Sequence, residues 1–392
     1  MLTQTNRRKR LTRQDGAVPS AESTARGRAS DMQGAPLALL PSVDQRRSGV
    51  HTLERGPYQV VPVVDSNQKP LMPTTPSRAR RWIKNKEATP FFKRGIFCVR
   101  LNREPSAQEK QPIAVGIDPG SKKEGFTVKS KAHTFLNIQA DAVQHVKDAV
   151  ETRRMMRRTR RSRKTPYRAS RMNRKQRGSL APSTKARWQW KIRIVAQLAK
   201  MFPITDLVVE DIKARTVKGV RKWNKSFSPL EIGKTWFYKE LEQFGKVHLK
   251  QGWETKALRD AVGLKKSKAK LSEVFAAHCV DSWVLANWLV GGHTLPENTN
   301  MLCISPIRFH RRQLHVMVPA VGGIRKPYGG TRSSGFKRGS LVSHPKYGLT
   351  YVGGVSNKGL ITLQTLKTGV RVYRNAKPED LVFRSYNVWR VW

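Results

Sequence analysis

Two periods of apolar spacing run through this chain. Short apolar runs open at YQVVPVVD and return in ATPFFKRGIFCVRL, two strand-like regions. Between them, NQKPLMPTTPSRARRWIKN predicts a short helix, Ser77–Lys84, capped after Pro76. The stretch NREPSAQEKQP closes this small basic module as a linker. IAVGIDPG then reads as an apolar strand stopped by a Pro-Gly turn, and EGFTV and KAHTFLNIQ as two hairpin-connected strands. A long helix is expected from near Asp141. A second helix, Thr184–Met201, carries Trp188, Ile192, Val195, Ala196 and Ala199 at helical spacing and ends before Pro203. There follow a buried strand, ITDLVVED, a helix over Ile232–Phe244, a strand KVHLK, a helix over Glu254–Val262 and an apolar helix from Leu271 to Val290.

Three strands, helices, then β, α, β, α is the order of an RNase H-like domain, so the fold class is α/β. From about Ser305 the helical pattern stops. The glycine-punctuated alternation GSLVSHPKYGLTYVGGVSNKGLITLQTLKTGVRVYR predicts a small antiparallel barrel, SH3-like in size. Residues 1–50 hold no Phe, Trp or Tyr and read as a basic, disordered tail. The start, MLTQTNRRKRLTRQ, has no apolar segment behind its charges and is not a secretory signal. No apolar run approaches the roughly 20 residues of a membrane span, so a reducing cytosol is the expected location. Cys98, Cys279 and Cys303 form no CxxC pair, which supports neither a zinc ribbon nor a disulfide framework.

Charge narrows the function. Lys and Arg number 76 against 27 Asp and Glu, a formal net charge of +49. Such a surplus calls for a polyanion, and nucleic acid fits because each phosphate contact releases a counterion. Residues 151–177 concentrate it, with eleven Arg and two Lys against the single acid Glu151. Like charges four apart repel in an isolated helix, and arginine suits bidentate phosphate contact.

Three places carry candidate chemistry. Asp118 ends the strand in GIDPGS, and it is either a turn aspartate or a ligand. Glu210 ends LVVED, and it is either an exposed strand terminus or a ligand. In VFAAHCVDSWVLANWL, His278 and Asp281 share a face of a helix that is apolar nearly all round. A buried Asp needs a partner: the histidine would suffice, and so would a cation shared with the other acids. Hydrolysis of a phosphodiester with two metal ions wants such oxygen ligands, with His278 orienting or deprotonating the attacking water. Mg²⁺ suits the donor set, with Mn²⁺ as a substitute.

IAVGIDPGS, LVVED and HCVD resemble the three split motifs of a RuvC nuclease. KPLMPTTPSRARRWI resembles the PLMP module of the IscB and IsrB families, and ETRRMMRRTRRSRKTPYRASR their arginine-rich bridge helix, the RRXRR signature. The resemblance implies an RNA-guided, transposon-borne DNA nuclease whose omega RNA pairs with target double-stranded DNA, working as a monomeric ribonucleoprotein. It implies a catalytic set of Asp118, Glu210, His278 and Asp281, with the three acids as metal ligands. IscB-like proteins insert an HNH nuclease between the second and third motifs. Here that interval, 211–277, holds one histidine, His248, and lacks the CxxC pairs expected of a TnpB-like nuclease. The match is therefore to IsrB, which implies a nickase of the displaced non-target strand.

The implied division is a tail over 1–57, a PLMP module over 58–110, RuvC motif regions over 111–140, 181–262 and 263–304, a bridge helix over 141–180 and a target-adjacent-motif domain over 305–392. Contacts to guide RNA and its heteroduplex are expected from Arg78, Arg80 and Arg81, and from Arg153, Arg154, Arg157, Arg158, Arg160, Arg161, Arg163, Arg168 and Arg171. Lys265, Lys266 and Lys268, then Arg325, Lys326, Arg332, Lys337 and Arg338, are expected DNA contacts. The alternatives are an RNA-independent, structure-selective resolvase and a non-catalytic nucleic-acid binder.

Overall fold

The structure, a computed structural model, describes residues 60–105, 109–162, 180–213, 230–307, 315–316, 326–327, 334–356 and 358–392. The expected N-terminal tail lies outside them.

The first module is a four-stranded sheet with one helix. Strands β1 (Val61–Val64), β2 (Pro70–Thr74), β3 (Ala88–Lys93) and β4 (Ile96–Leu101) stand in the order β2-β1-β4-β3. The expected strand region ATPFFKRGIFCVRL is a hairpin of β3 and β4, turning at Arg94 and Gly95, both with positive φ. Helix α1 (Pro76–Lys84) starts one residue before the expected Ser77 and ends where expected. Proline at its first position lacks an amide that would have no partner there, and the Thr75 hydroxyl accepts from Arg78 N at 3.3 Å. The helix buries only Ala79, which packs with Val61, Val63, Leu71 and Val99.

This module shares packing with the main core. Ile96 and Cys98 are buried in that core, and Arg94 Nη1 donates to Tyr386 O at 2.5 Å. The main core is built on a seven-stranded sheet. Strands β5 (Ile113–Asp118), β6 (Lys123–Ser130) and β7 (Thr134–Asp141) run antiparallel in sequence order. Helices α2 (His145–Ser162) and α3 (Pro182–Leu198) lead to β8 (Asp206–Asp211), parallel to β5. Helix α4 (Lys234–Leu241) leads to β9 (Lys246–Gln251), parallel to β8. Helices α5 (Gly252–Ala261) and α6 (Phe275–Val290) come next. Three antiparallel strands extended by two parallel ones are the α/β, RNase H-like arrangement expected from the element order.

Strand β10 (Met301–Pro306) joins this sheet parallel to β7. Two-residue strands β11 (His315–Val316) and β12 (Lys326–Pro327) pair with each other. Strands β13 (Ser340–His344), β14 (Gly348–Val355), β15 (Ile361–Gln364), β16 (Arg371–Ala376) and β17 (Val382–Tyr386) make an antiparallel sheet around Val342, Val352, Ile361 and Leu363. The sheet is bulged at four places, which coils it. Its edges β16 and β17 are not paired with each other among the described residues, so the expected barrel is an open five-stranded sheet in the described pairing. The last strand, β18 (Trp389–Val391), returns to β10, giving the central order β18-β10-β7-β6-β5-β8-β9.

One expected face is rotated. Helix α3 buries Trp188, Trp190, Lys191, Ile194, Val195 and Leu198, while Ile192, Ala196 and Ala199 are half-buried. The helix is packed on two sides: Trp188 stacks on Phe237 of α4 at 4.5 Å, and Trp190 meets Trp389 of β18 edge-on at 5.9 Å. Helix α2 begins at His145, four residues after the expected Asp141, which is the end of β7. Among the described residues no helix is long and apolar enough to cross a membrane.

Candidate metal centre

The site grows from the middle of the central sheet. Asp118 is the last residue of β5, and Glu210 stands one from the end of β8. The parallel register Ile117↔Val209 brings these two acids next to each other at neighbouring strand ends. Like charges in that relation destabilise a sheet unless something compensates them.

Helix α6 brings the third acid. It lies directly on β5 and β6 because two sheet positions carry no side chain. A Cβ at Gly116 would stand 1.8 Å from Ser282 O, and one at Gly125 2.4 Å from His278 O. Ser282 Oγ shares a hydrogen bond with Thr127 Oγ1 at 2.8 Å, and Trp283 Nε1 donates to Thr134 Oγ1 at 2.9 Å. So seated, α6 presents His278 and Asp281 to the strand ends. Carboxylate oxygens of Asp118, Glu210 and Asp281 all lie within 4.8 Å of one another.

Positive side chains lie against this cluster. Arg259 of α5 donates from Nη1 to Asp281 Oδ1 at 2.5 Å. Lys266 donates to Asp118 Oδ2 at 3.4 Å and also to Asp281 Oδ2. Burial pulls the Lys266 ammonium down, but Asp118 and Asp281 outweigh it and hold its pKa above the ordinary value. Burial likewise raises Asp118, yet hydrogen bonds and charge from His278 and Lys266 bring it below the ordinary range. Among the described residues, no side chain donates a hydrogen bond to Glu210. Burial and the charges of Asp118 and Asp281 push its carboxyl up to about 8. The cluster is short of positive charge at Glu210. With oxygen donors from three acids and no thiolate, it fits a hard divalent cation.

His278 is held at both nitrogens: Nδ1 is 3.1 Å from Asp118 Oδ2 and Nε2 is 2.9 Å from Lys270 O. Both partners are acceptors, so the ring satisfies both only with a proton on each nitrogen. In this arrangement the imidazole steadies Asp118 and offers no free lone pair to a water.

The neighbouring acid of LVVED is different. Asp211 accepts from Lys234 Nζ at 2.7 Å, Tyr238 Oη at 2.9 Å and Gln251 Nε2 at 2.8 Å, which ties α4 and β9 to β8. Burial raises its pKa, and those hydrogen bonds more than reverse the shift. Glu124 of β6 is also buried, paired with Lys191 of α3 at 2.9 Å, and burial keeps its pKa raised.

The expected nucleic-acid contacts are scattered. Arg78, Arg80 and Arg81 lie on α1, the first and third of them beside Trp82 and the helix end, and Arg153, Arg154, Arg157 and Arg158 are exposed on α2. Arg160 and Arg161 belong to the backbone of α2. Arg163, Arg168, Arg171, Arg325 and Arg332 lie outside the described residues, and Lys326 is described only as backbone of β12. Lys265 and Lys268 stand between α5 and α6, whereas Lys266 turns inward to the acids. Lys337 and Arg338 are half-buried, with the Lys337 ammonium 5.0 Å from the Tyr386 ring centre. Sequence reasoning missed Arg259 altogether, because ALRDAV carries no signal beyond an ordinary amphipathic helix.

No curated protein matches the chain. Among solved structures it is similar to T. thermophilus RuvC in complex with Holliday junction substrate, at 13% identity and a TM-score of 0.26, covering 46% of this chain and 98% of that one. It is also similar to a CRISPR-Cas12f ternary complex, at 14% identity and a TM-score of 0.26, covering 55% of this chain and 49% of that one. Residues 61–221, which run from β1 past Glu210 and include Asp118 and the arginines of α2, match the family model described as RRXRR protein.

Proposed function

We propose that this chain is a divalent-metal-dependent nuclease that nicks DNA selected by a bound RNA. The observation that carries the hydrolytic part is the cluster of Asp118, Glu210 and Asp281 within 4.8 Å, in a chain of net charge +49. Three mutually repelling carboxylates at the meeting of two strand ends and a helix destabilise a fold, so their convergence calls for a cation.

Asp118, Glu210 and Asp281 would hold the metal, Mg²⁺ or Mn²⁺, as two ions. Bound there, divalent ions supply Lewis acidity that activates water and stabilises the leaving 3′ oxygen. The protein's own groups do the rest. Arg259 fixes Asp281 from behind. Lys266 withdraws from Asp118 and Asp281 and is then free to meet a phosphate. His278 holds Asp118 in orientation, and it would serve the attacking water as a base only after releasing one of its two ring protons to solvent. Lys265 and Lys268 stand on the same approach, where they would track a single strand.

The RNA-guided part rests on the arginines of α1 and α2, in the stretch that matches the RRXRR model. Their repetition on several faces of α2 suits an A-form backbone read by shape. The finer reading is an IsrB-type nickase with an omega RNA that cuts the non-target strand, because the interval 211–277 has no second nuclease motif.

Sequencing of RNA that copurifies with the protein, followed by cleavage of matched DNA with Mg²⁺, tests both parts. A structured RNA and a single nick, lost in Asp118→Ala with RNA binding intact, is the expected result. Cleavage of four-way junctions by RNA-free protein would replace the guide reading with a resolvase. No cleavage under any of these conditions would leave a nucleic-acid binder.

A further inference from the structure

A cavity of about 220 Å³ opens between the end of the central sheet and the C-terminal sheet. Pro306 and Ile307, at and just past the end of β10, form one wall, and Tyr351 of β14 and Gln364 of β15 form the other. Two arginines converge on it, Arg338 just before β13 and Arg390 in β18. Neither takes part in an ion pair or a side-chain hydrogen bond among the described residues, and no acid lines the cavity. The Nε–H of Arg390 is buried without a partner.

The local backbone is shaped around these groups. A Cβ at Gly369 would stand 2.0 Å from Arg390 Nη2, so the guanidinium lies against the glycine backbone and a side chain there would push it aside. A Cβ at Gly353 would stand 2.8 Å from the side-chain amide of Gln364. Burial, and then the charge of Arg390, lowers the pKa of Arg338, so each guanidinium feels the other. A buried donor without a partner and an uncompensated pair of guanidiniums each destabilise a fold. An anion with several acceptor oxygens relieves both, and the forked donors of arginine match phosphate. The cavity has room for one with some water, a water taking roughly 30 Å³.

We propose that Arg338 and Arg390 form a binding site for a phosphate group in the cleft between the central and C-terminal sheets. The site is separate from the carboxylate cluster, and it holds whether or not that cluster cuts DNA. Its two sources are a backbone phosphodiester of nucleic acid and free inorganic phosphate.

Thermal unfolding of the full chain in phosphate against chloride, at equal ionic strength, reads the site directly. The wild type should gain melting temperature in phosphate beyond the general salt effect, since a ligand of the folded state stabilises it in proportion to its occupancy. Arg390→Gln and Arg338→Gln should lose that extra gain while melting in chloride no lower than the wild type, since each removes one of two unpaired guanidiniums. Arg390→Lys, which keeps the charge without the fork, guards against a variant that fails to fold and should show a reduced gain. An equal phosphate gain in wild type and all three variants overturns the proposal. Binding to duplex DNA and duplex RNA over a salt series then separates the sources. Loss of one phosphate contact lowers the slope of log K against log salt by about 0.9 on B-DNA, and the nucleic acid whose slope falls is the source. Unchanged slopes together with a lost phosphate gain identify free phosphate as the ligand.

Discussion

Lys266 Nζ lies 3.4 Å from Asp118 Oδ2, and the same ammonium also donates to Asp281. It therefore stands among the carboxylates that a divalent cation would need. Metal entry and Lys266 compete for the same oxygens. Lys266→Met should raise the affinity of the metal-free protein for Mn²⁺ by about fivefold or more, the equivalent of roughly 1 kcal/mol of repulsion between charges 4 Å apart in water-like surroundings. Paramagnetic resonance of free Mn²⁺ during titration measures this without any cleavage. Unchanged or weaker Mn²⁺ binding would remove Lys266 from the role of placeholder.

The two acids of LVVED should separate cleanly. Glu210 belongs to the cluster, and Asp211 is a structural acceptor for Lys234, Tyr238 and Gln251. Glu210→Gln is expected to weaken metal binding and abolish cleavage with little loss of stability. Asp211→Asn is expected to keep metal binding and to lower stability by about 1–3 kcal/mol, since charged hydrogen bonds to a buried group are lost. Metal titration and urea unfolding of the two variants, side by side, give the comparison; equal metal loss in both would merge their roles.

Much of this site is legible in the sequence because its acids interrupt apolar runs. Asp118 after IAVGI and Asp281 among Val280, Ser282 and Trp283 are conspicuous in the chain, and the element order already places them near one sheet. Arg259 and Lys266 are not legible as a pair of partners. Their neighbours in sequence are ordinary, and they meet Asp281 only because α5 and the loop after it fold back beneath α6. The buried face of α3 is hidden for a related reason. A single helical period describes a helix with one buried side, whereas Trp188 and Trp190 pack against different elements. Strand β18 is not legible because three residues carry almost no periodic signal and their partner β10 lies far back in the chain.

The seating of α6 depends on Gly125. Its hydrogen faces His278 O, and a methyl there would meet that oxygen at 2.4 Å. Gly125→Ala should lift the His278 end of α6 from the sheet, at a stability loss of about 1–3 kcal/mol for an overpacked contact. Metal affinity should fall with it, because His278 and Asp281 move away from Asp118. Denaturant unfolding and Mn²⁺ titration on the same variant test the link; a stability loss with metal affinity intact would break it.

The other end of α6 carries a pH signature. Lys129 is buried, and its Nζ donates to Gly291 O at 2.8 Å and Ser130 O at 2.9 Å. Burial pulls its pKa from 10.5 to about 8, although Glu297 opposes the shift. A neutral amine still has two hydrogens for the two carbonyls, so the contact survives deprotonation. Between pH 8 and 10.5 the unfolded chain holds this proton and the folded chain does not. Stability from this group therefore rises with pH across that window, and below about pH 8 its charge opposes folding. Lys129→Met removes the group, so the stability of the wild type relative to the variant should increase as pH rises from 8 to 10.5.

The arginines of α2 give the last expectation. Arg153, Arg154, Arg157 and Arg158 are exposed, and Arg153 Nε bonds back to the helix, to Ala149 O at 3.0 Å. Exposed side chains on a helix contribute little to its packing, so their replacement by glutamine should leave folding nearly unchanged. If they hold an RNA backbone, each lost contact lowers the slope of log K against log salt by about 0.7–0.9. The loss should be uniform across RNA sequences, because phosphate contacts position a backbone without reading bases. Binding of the copurified RNA over a salt series, for single and paired substitutions, measures the change per arginine. A slope that stays constant through all four substitutions would move the guide-binding surface off α2.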